Sequence, residues 1–318
     1  MENIAVITPV RHIDNVMNRL ECIGKVSYIP DPKNIQEIAK QCPRADIVFT
    51  NPNKSKIYIG SEFLEVFPSV KCICTASTGT VHIDMALMKK NNVHVICIKN
   101  ERDVLEQITS TADLALTLSL MGIRQIIPAI EDVGLGGWDY EKFIGKQFNE
   151  LEVGVIGLGR LGLMYSRYMA TLGACVRYYD PFVENNDFIR VDDVNELFAV
   201  SNLVSIHIHA TAKNFGFINE SNLSARKQDL VLVNTSRGEV VDEEAIINRL
   251  KHDEKFIYAT DVLIGEIHGV HKNPIFERRL DLKNLILTPH IGGMSSGAQF
   301  LAYNRAVDLL ENFVGMSS

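Results

Sequence analysis

Short apolar runs alternate with amphipathic stretches along nearly the whole chain, and this alternation limits the fold more than any other feature. In the first hundred residues, the runs NIAVIT, ADIVFT, KCICTA and VHVICI have the length and composition of buried strands. Apolar strands separated by helical stretches are typical of a parallel sheet that is covered by helices on both faces. The pattern therefore predicts an α/β fold.

The same pattern starts again after residue 150, with the strand-like runs LEVGVIG, CVRYYD, LVSIHI, DLVLVN and FIYATD. Because 318 residues exceed the usual size of a single core, we expect two domains. Between the two series, the apolar residues 110–130 predict one helix buried on all sides, with Ser110 at its N-cap and Asp113 as capping-box partner. The stretch from Met294 to Val314 predicts a carboxyl-terminal helix.

The charge balance and the cysteines exclude several classes of protein. A net charge of −7 argues against a nucleic-acid-binding protein, which usually carries a basic excess. The longest apolar run, LALTLSLMGI, is too short to span a bilayer, and the amino terminus lacks a signal-peptide pattern. The six cysteines form no CxxC pair, and no histidines show metal-ligand spacing. We therefore expect a cytoplasmic protein with reduced thiols, no metal, and no nucleic-acid or membrane partner.

A glycine-rich segment predicts a dinucleotide site. In VGVIGLGRLG, residues Gly157, Gly159 and Gly162 form GxGxxG between a strand-like run and a helical stretch. Such glycines allow a tight turn, close approach to a pyrophosphate and close helix packing, and the helix N-terminus adds N–H donors. Asp180, 18 residues after Gly162, would accept hydrogen bonds from the adenosine ribose and repel a 2′-phosphate. NAD is therefore favoured over NADP; the alternatives are an ordinary glycine turn and a methyltransferase loop.

Three later segments carry residues suited to the reduction of a keto acid. They are NTSRGEVVDEE with Arg237, YATDVLIGE with Asp261 and Glu266, and LTPHIGG with His290. Arginine has a planar fork that matches a carboxylate, and histidine exchanges protons near neutral pH. A nearby carboxylate favours imidazolium and orients the ring. Each residue alone has an ordinary explanation as a loop or surface residue, so the prediction rests on their joint occurrence.

Together with GLGRLG and YYDP, these segments resemble the D-isomer-specific 2-hydroxyacid dehydrogenases, which include D-lactate, phosphoglycerate and glyoxylate enzymes. The resemblance covers nearly the whole chain and is strongest from residue 138 to 293. It implies two Rossmann-like, doubly wound parallel-sheet domains with a cleft between them. Residues 1–101 plus 291–318 would form a flavodoxin-like substrate domain, and residues 102–290 the NAD-binding domain. The implied protein is a homodimeric, NAD-dependent oxidoreductase that interconverts a small 2-keto acid and its D-2-hydroxy acid.

The resemblance also implies residue roles. Arg237 would bind the substrate carboxylate and polarise the keto oxygen, while His290, paired with Glu266, would be the acid–base residue. Asp261 would face the nicotinamide carboxamide. Backbone N–H groups near Ser77, Thr78 and Gly79 would also bind the carboxylate. The implied nucleotide contacts come from Gly157, Gly159, Arg160, Leu161, Gly162, Asp180, His207, Thr235, Asp261 and Gly293.

Two departures from the family leave the substrate open. The chain reads His207-Ile208-His209 where relatives usually have His-x-Pro. The segment FTNPNKSK, with Asn53 and Lys54, replaces a stretch that in many relatives carries a substrate-contacting arginine. One alternative is an NAD(H)-sensing binding protein of the same fold, similar to corepressors, without significant turnover. A formate dehydrogenase is disfavoured, because that branch pairs its histidine with glutamine rather than glutamate.

Overall fold

The structure is a computed structural model that describes residues 1–52, 57–226 and 229–316, so Asn53 and Lys54 lie outside the described residues. The chain divides into two compact units, Met1–Ile108 with Met294–Ser318, and Thr109–Gly293. Each unit contains one parallel sheet with helices packed on both faces. The predicted α/β fold with two doubly wound parallel sheets is therefore confirmed.

The bounds of the elements follow in chain order. The strands are β1 (Glu2–Val6), β2 (Gly24–Tyr28), β3 (Ile47–Thr50), β4 (Cys72–Thr75), β5 (His94–Cys97), β6 (Glu152–Ile156), β7 (Cys175–Tyr179), β8 (Ile189–Arg190), β9 (Leu203–Ile206), β10 (Leu230–Asn234), β11 (Phe256–Thr260) and β12 (Leu285–Leu287). The α-helices are α1 (Val16–Ile23), α2 (Ile35–Gln41), α3 (Ser61–Val66), α4 (Met85–Lys90), α5 (Arg102–Gln107), α6 (Ser110–Ile123), α7 (Ile126–Gly134), α8 (Arg160–Thr171), α9 (Val194–Val200), α10 (Glu220–Ala225), α11 (Glu243–His252), α12 (Pro274–Arg278) and α13 (Ser296–Met316).

The first unit is a five-stranded sheet in the order β2-β1-β3-β4-β5, which is the flavodoxin-like order. Successive residues of β1 point to opposite faces, as strand geometry requires. Ile4 is buried in the cluster that includes Leu310 of α13, whereas Ala5 is buried in the cluster that includes Phe63 of α3. Both faces are thus covered, and the carboxyl-terminal helix α13 packs against this sheet.

The second unit is a seven-stranded sheet in the order β12-β11-β10-β9-β6-β7-β8. Val153 and Val155 of β6 belong to the apolar cluster shared with α6 and α8, and Ile156 belongs to the cluster shared with α9 and α11. The strand order reverses direction between β6 and β9. In sheets of this kind, ligands bind outside the carboxyl ends of the strands at such a switch point.

The single buried helix predicted over residues 110–130 is wrong in two respects. The helix ends at Ile123, and a second helix, α7, starts at Ile126 after Gln125 adopts a left-handed conformation with φ 49°. Pro128 explains the break, because its ring would clash with the carbonyl of Arg124 and its nitrogen has no hydrogen to donate. None of the residues of α7 is buried.

The N-cap of α6 also differs from the prediction. Thr109 occupies the N-cap position, and its hydroxyl donates to the Asp113 carboxylate at 2.8 Å. Ser110 is instead the first helical residue and is buried.

In the described part of the chain, no single helix has the length and hydropathy needed to cross a membrane. Only Arg102–Ile123 combined with Ile126–Gly134, across a bend of 59°, meets those criteria.

Candidate active site

Most of the predicted site residues follow six neighbouring strands of the second sheet at their carboxyl ends. Because all these strands are parallel, their carboxyl ends lie along one edge of the sheet. Neighbouring strands are about 4.8 Å apart, so the edge is long enough for an extended ligand. From one end to the other it presents His290 after β12, Asp261 and Glu266 after β11, Thr235 and Arg237 after β10, His207 after β9, the glycine turn after β6 and Asp180 after β7.

The glycine turn after β6 has a backbone that larger residues would disrupt. Gly157 has φ +89°, and a Cβ added to Gly162 would lie 2.0 Å from the carbonyl oxygen of Gly157. A Cβ on Gly159 would meet open space, and Gly159 caps α8 without any side-chain hydrogen bond. The first turn of α8, which includes Arg160 and Leu161, directs its backbone N–H groups and the positive end of the helix dipole outward, as suits a pyrophosphate. The geometry of the turn fits a dinucleotide.

Asp180 supports the glycine turn from the next strand. Its Oδ2 accepts a hydrogen bond from the backbone N–H of Leu158 at 2.8 Å. Its Oδ1 accepts from the N–H groups of Phe182 and Val183 at 2.8 and 3.1 Å. Since each carboxylate oxygen can accept two bonds, Oδ2 can still accept one from a ribose hydroxyl. Asp180 can therefore shape the turn and bind a nucleotide at the same time.

His207 lies beside the glycine turn in a buried polar group. Its Nε2 is 2.9 Å from the Ser205 hydroxyl, and its ring packs against Tyr165 at 5.1 Å between centroids. The Tyr165 hydroxyl is 2.8 Å from that of Ser119 on α6. Burial lowers the pKa of His207 to about 3, so the ring is neutral at physiological pH. Its buried Nδ1 has no hydrogen-bond partner among the described residues, and the predicted contact of His207 with a nucleotide stays a prediction.

The loop that carries Arg237 is folded by an asparagine at the end of β10. The Asn234 side chain accepts from the N–H and hydroxyl of Ser236 at 3.0 and 2.8 Å and donates to the Arg237 carbonyl at 2.9 Å. The Arg237 guanidinium donates to the Ser236 carbonyl at 2.6 Å. Within the described residues, no carboxylate forms an ion pair with Arg237. Its remaining donors are therefore available to an anion.

Gly238 brings the arginine loop against the segment that leads to Glu266. A Cβ at this position would lie 2.2 Å from the carbonyl carbon of Leu263 and 2.3 Å from the nitrogen of Ile264. Only glycine permits this approach, because the contacted atoms are backbone and cannot move aside. The residue after Arg237 thus sets the distance between the two loops.

His290 and Glu266 form a direct pair. The Nδ1 atom of His290 is hydrogen-bonded to Oε1 of Glu266, and Oε2 of Glu266 accepts from the Leu263 N–H at 3.1 Å. The side chains of His290 and Glu266 are 32% and 20% exposed. A partly exposed imidazole with one nitrogen fixed by a carboxylate is suited to proton transfer through the other nitrogen.

Asp261 fixes the loop on which His290 lies. The carboxylate is buried, and its Oδ1 accepts from the Thr288 hydroxyl at 2.6 Å and the Ile291 N–H at 2.8 Å. Its Oδ2 accepts from the Gly292 N–H at 2.7 Å. His290 lies between these contacts with φ +55°, a left-handed conformation that is uncommon for a residue with a side chain. The predicted contact of Asp261 with a nicotinamide stays a prediction.

Ser77, Thr78 and Gly79 form a loop after β4 of the first unit. The Ser77 hydroxyl is 2.9 Å from that of Thr75 and donates to the Gly79 carbonyl at 2.7 Å. Because this hydroxyl already donates within the loop, it is not free to donate to a ligand. The role of this loop in binding a substrate carboxylate stays a prediction.

The predicted nucleotide contacts of Thr235 and Gly293 stay predictions. The buried Thr235 hydroxyl has no partner in the part of the chain that the structure describes. A Cβ added to Gly293 would meet no atom within 4 Å.

Sequence reasoning missed Thr288 and Glu243, whose side chains support the loops of His290 and Glu266. The only sequence signal was the position of Thr288 two residues before His290.

Comparisons with known proteins agree with this geometry. Residues 116–292, more than half of the chain, match the family model of the D-isomer specific 2-hydroxyacid dehydrogenase NAD-binding domain. A D-lactate dehydrogenase from Aquifex aeolicus, solved with NAD and lactic acid, superposes with a TM-score of 0.80 at 25% identity, covering 98% of this chain and 95% of that chain. The match to an NAD-binding domain confirms the predicted cofactor.

Two curated relatives cover most of the chain. The D-3-phosphoglycerate dehydrogenase of Archaeoglobus fulgidus is 27% identical over 89% of this chain and 51% of its own length. The hydroxypyruvate reductase of Thermotoga maritima is 26% identical over 83% of both chains. The chain thus spans about half the length of the phosphoglycerate dehydrogenase. The chain belongs to the D-isomer specific 2-hydroxyacid dehydrogenase family and contains its NAD-binding domain.

Proposed function

We propose that this protein is an NAD-dependent dehydrogenase that interconverts a small 2-keto acid and its D-2-hydroxy acid. The observation that carries the proposal is the grouping of three elements at one sheet edge. These are the glycine turn, the unpaired guanidinium of Arg237 and the His290–Glu266 pair. The relatives that the chain matches are named as dehydrogenases and reductases, so a binding protein without turnover is not favoured.

Each side chain has a distinct part in the proposed reaction. Arg237 binds the substrate carboxylate through its fork and polarises the keto oxygen. The Nε2 atom of His290 gives a proton to that oxygen during reduction and takes it back during oxidation. Glu266 fixes the orientation of the ring through its hydrogen bond to Nδ1. The nicotinamide, when bound, supplies or accepts the hydride.

The proposed substrate is a short 2-keto acid, and the relatives name two related classes. One relative is named a hydroxypyruvate reductase and one structural neighbour a D-lactate dehydrogenase with lactic acid bound. A panel of 2-keto acids with NADH, followed by loss of nicotinamide absorbance, tests the proposal. At least one acid should be reduced to the D product. Binding of NADH without reduction of any acid would instead support the sensing alternative.

Substitution of Arg237 tests its proposed role in binding the keto acid. Arg237→Gln removes the charge and the fork, so KM for the keto acid should rise and kcat/KM should fall roughly 100-fold or more. Arg249→Gln is the matched control, because Arg249 lies on α11 and pairs with Glu220 at 2.6 Å. Equal KM values for the wild type and Arg237→Gln would contradict the proposed role of Arg237.

We also propose that two copies associate through α7 and the following arm. Leu135 and Trp138 are 91% and 86% exposed, and Ile130, Tyr140 and Ile144 are also exposed. Several large exposed apolar residues in one segment are typical of an interface, and a two-fold dimer is the commonest closed assembly. Light scattering should give twice the 35.6 kDa mass of one chain, and Ile130→Glu should lower it. A monomeric wild type would contradict the dimer.

Two further proposals concern the need for a metal and the location of the protein. We propose that catalysis needs no metal, since no group of three or more histidine, cysteine or acidic side chains in the described residues is arranged to hold one. The six cysteines are free, as expected for the cytoplasmic location that we propose. Activity should therefore persist after dialysis against a chelator.

A further inference from the structure

Glu243, the first residue of α11, directs a buried carboxylate at the segment that leads to Glu266. Its Oε1 accepts a hydrogen bond from the backbone N–H of Ile264 at 2.8 Å, and its Oε2 accepts from the Asn273 side chain at 2.7 Å. Only 6% of Glu243 is exposed. Burying a carboxylate is unfavourable unless its oxygens are well bonded, and here each oxygen receives a donor.

Asn273 completes the contact on the other side of the same peptide. Its Nδ2 donates to the Ile264 carbonyl at 3.2 Å, while its Oδ1 accepts from the N–H groups of Ile275 and Phe276 at the start of α12. Both backbone polar groups of Ile264 are therefore bonded to buried side chains. These side chains come from two different helix N-termini, which fixes Ile264 relative to both helices.

Ile264, which these hydrogen bonds fix, is followed by a glycine, Gly265. Gly265 has φ +69° and no atom within 4 Å of an added Cβ, and Glu266 follows it. Because glycine restricts the chain little, contacts at Gly265 itself do not determine where Glu266 begins. The hydrogen bonds at Ile264 fix the backbone two residues before Glu266, and the Leu263 N–H bonds the Glu266 carboxylate itself.

We propose that Glu243 and Asn273 are positioning residues that place the Glu266 carboxylate against Nδ1 of His290. They touch neither substrate nor cofactor in this proposal and act only through Glu266. The inference rests on the proposed function of the His290–Glu266 pair. A misplacement of catalytic groups by about 1 Å can lower turnover roughly 100-fold, so a defect at Ile264 should be visible in kcat.

Glu243→Gln is the first test. Glutamine offers one acceptor oxygen and an NH₂ group, so one of the two donors at this site loses its partner. We expect kcat to fall roughly 10- to 100-fold with KM for NADH unchanged. The pH optimum should move in the same direction as it does in Glu266→Gln, because both changes act through the same carboxylate. Glu244→Gln, the same change at the adjacent exposed residue, should behave as the wild type.

A double variant distinguishes positioning from a general loss of stability. If Glu243 acts through Glu266, then Glu243→Gln combined with Glu266→Gln should have the kcat of Glu266→Gln alone. Multiplication of the two single effects would overturn the proposal. So would wild-type kcat and pH dependence in Glu243→Gln when Glu266→Gln is impaired. Wild-type behaviour of Glu266→Gln would overturn both this proposal and the function on which it rests.

Asn273→Ser keeps the proposal testable if Glu243→Gln does not fold. Serine can still cap α12, but its single hydroxyl hydrogen cannot replace both bonds that the Asn273 amide donates, to Glu243 and to the Ile264 carbonyl. With circular dichroism showing a folded protein, we expect a smaller fall in kcat, roughly tenfold, with the same shift of the pH optimum. A folded Asn273→Ser with wild-type kcat would overturn the positioning role.

Discussion

The two ends of the sheet edge in the second unit are built in different ways. At the nucleotide end, after β6 and β7, the shape comes from glycines and from backbone N–H groups bonded to Asp180. At the reaction end, after β10, β11 and β12, it comes from buried side chains that hold loops through hydrogen bonds to their backbone. These side chains are Asn234, Glu243 and Asp261.

This difference predicts different consequences of substitution. Changes at the nucleotide end alter the surface that meets the cofactor, so they should change affinity and cofactor choice. Changes at the reaction end alter the position of groups that transfer a proton, so they should change kcat with little effect on NADH binding. The following experiments test that division, beginning with the largest expected effect.

His290→Ala removes the proposed acid–base group. We expect kcat to fall roughly 10²- to 10⁴-fold, the usual contribution of such a residue, while the Kd for NADH stays the same. Stopped-flow and fluorescence titration measure the two quantities. His252→Ala is the control, because His252 is exposed on α11 and its ring contacts only the Asn248 carbonyl among the described residues. Near wild-type turnover in His290→Ala would remove the basis of the mechanism.

Asp261→Asn weakens the support of the His290 loop while preserving its shape. An amide has one acceptor oxygen, so the three donors from Thr288, Ile291 and Gly292 cannot all be satisfied. We expect kcat to fall roughly 10- to 100-fold and amide exchange to quicken in residues 288–292. Asp281→Asn, a change at an exposed residue, is the control. Unchanged amide exchange in residues 288–292 would contradict the proposal that Asp261 holds this loop in place.

Asp180→Ala tests the nucleotide end. The variant loses the carboxylate that repels a 2′-phosphate and the hydrogen bond to Leu158. We expect kcat/KM for NADH to fall roughly tenfold and the preference for NADH over NADPH to shrink, with kcat changed much less. If kcat fell as far as KM rose, the division between the two ends would be wrong.

His207→Gln tests the middle of the edge through stability. Burial lowers the pKa of His207 to about 3, whereas an unfolded histidine titrates near 6.5. Between these values the unfolded chain binds the extra proton, so the free energy of unfolding falls as pH drops. One such group contributes at most about 1.4 kcal/mol per pH unit.

Urea titrations from neutral to acid pH measure how the free energy of unfolding depends on pH. His207→Gln should flatten this dependence, and the remaining slope includes His82, whose pKa burial lowers to about 4. His252→Gln, the same change at an exposed residue, is the matched control. An equal slope in wild type and His207→Gln would mean that the ring is not buried as a neutral group.

Local patterns predicted most of the strands and the glycine turn. The strands they missed, β2, β8 and β12, are edge strands, where polar residues or very short runs obscure the apolar pattern. The local pattern also does not predict the break at Gln125, although Pro128 marks it. The apolar character of residues 110–130 favours one continuous helix.

The sequence by itself determined the two parallel-sheet units and the glycine turn, and it predicted the residues of the proposed site. Their signals are local, because glycine spacing, a strand-ending Asp180 and an apolar run each act within a few residues. Only the tertiary structure showed that Asp261 holds residues 288–292 and that Glu243 holds Ile264. Those contacts join residues 21 to 31 positions apart, and they form only once β10, β11 and β12 lie side by side. A hydrogen bond between distant residues depends on strand order and register, which no local pattern of residues encodes.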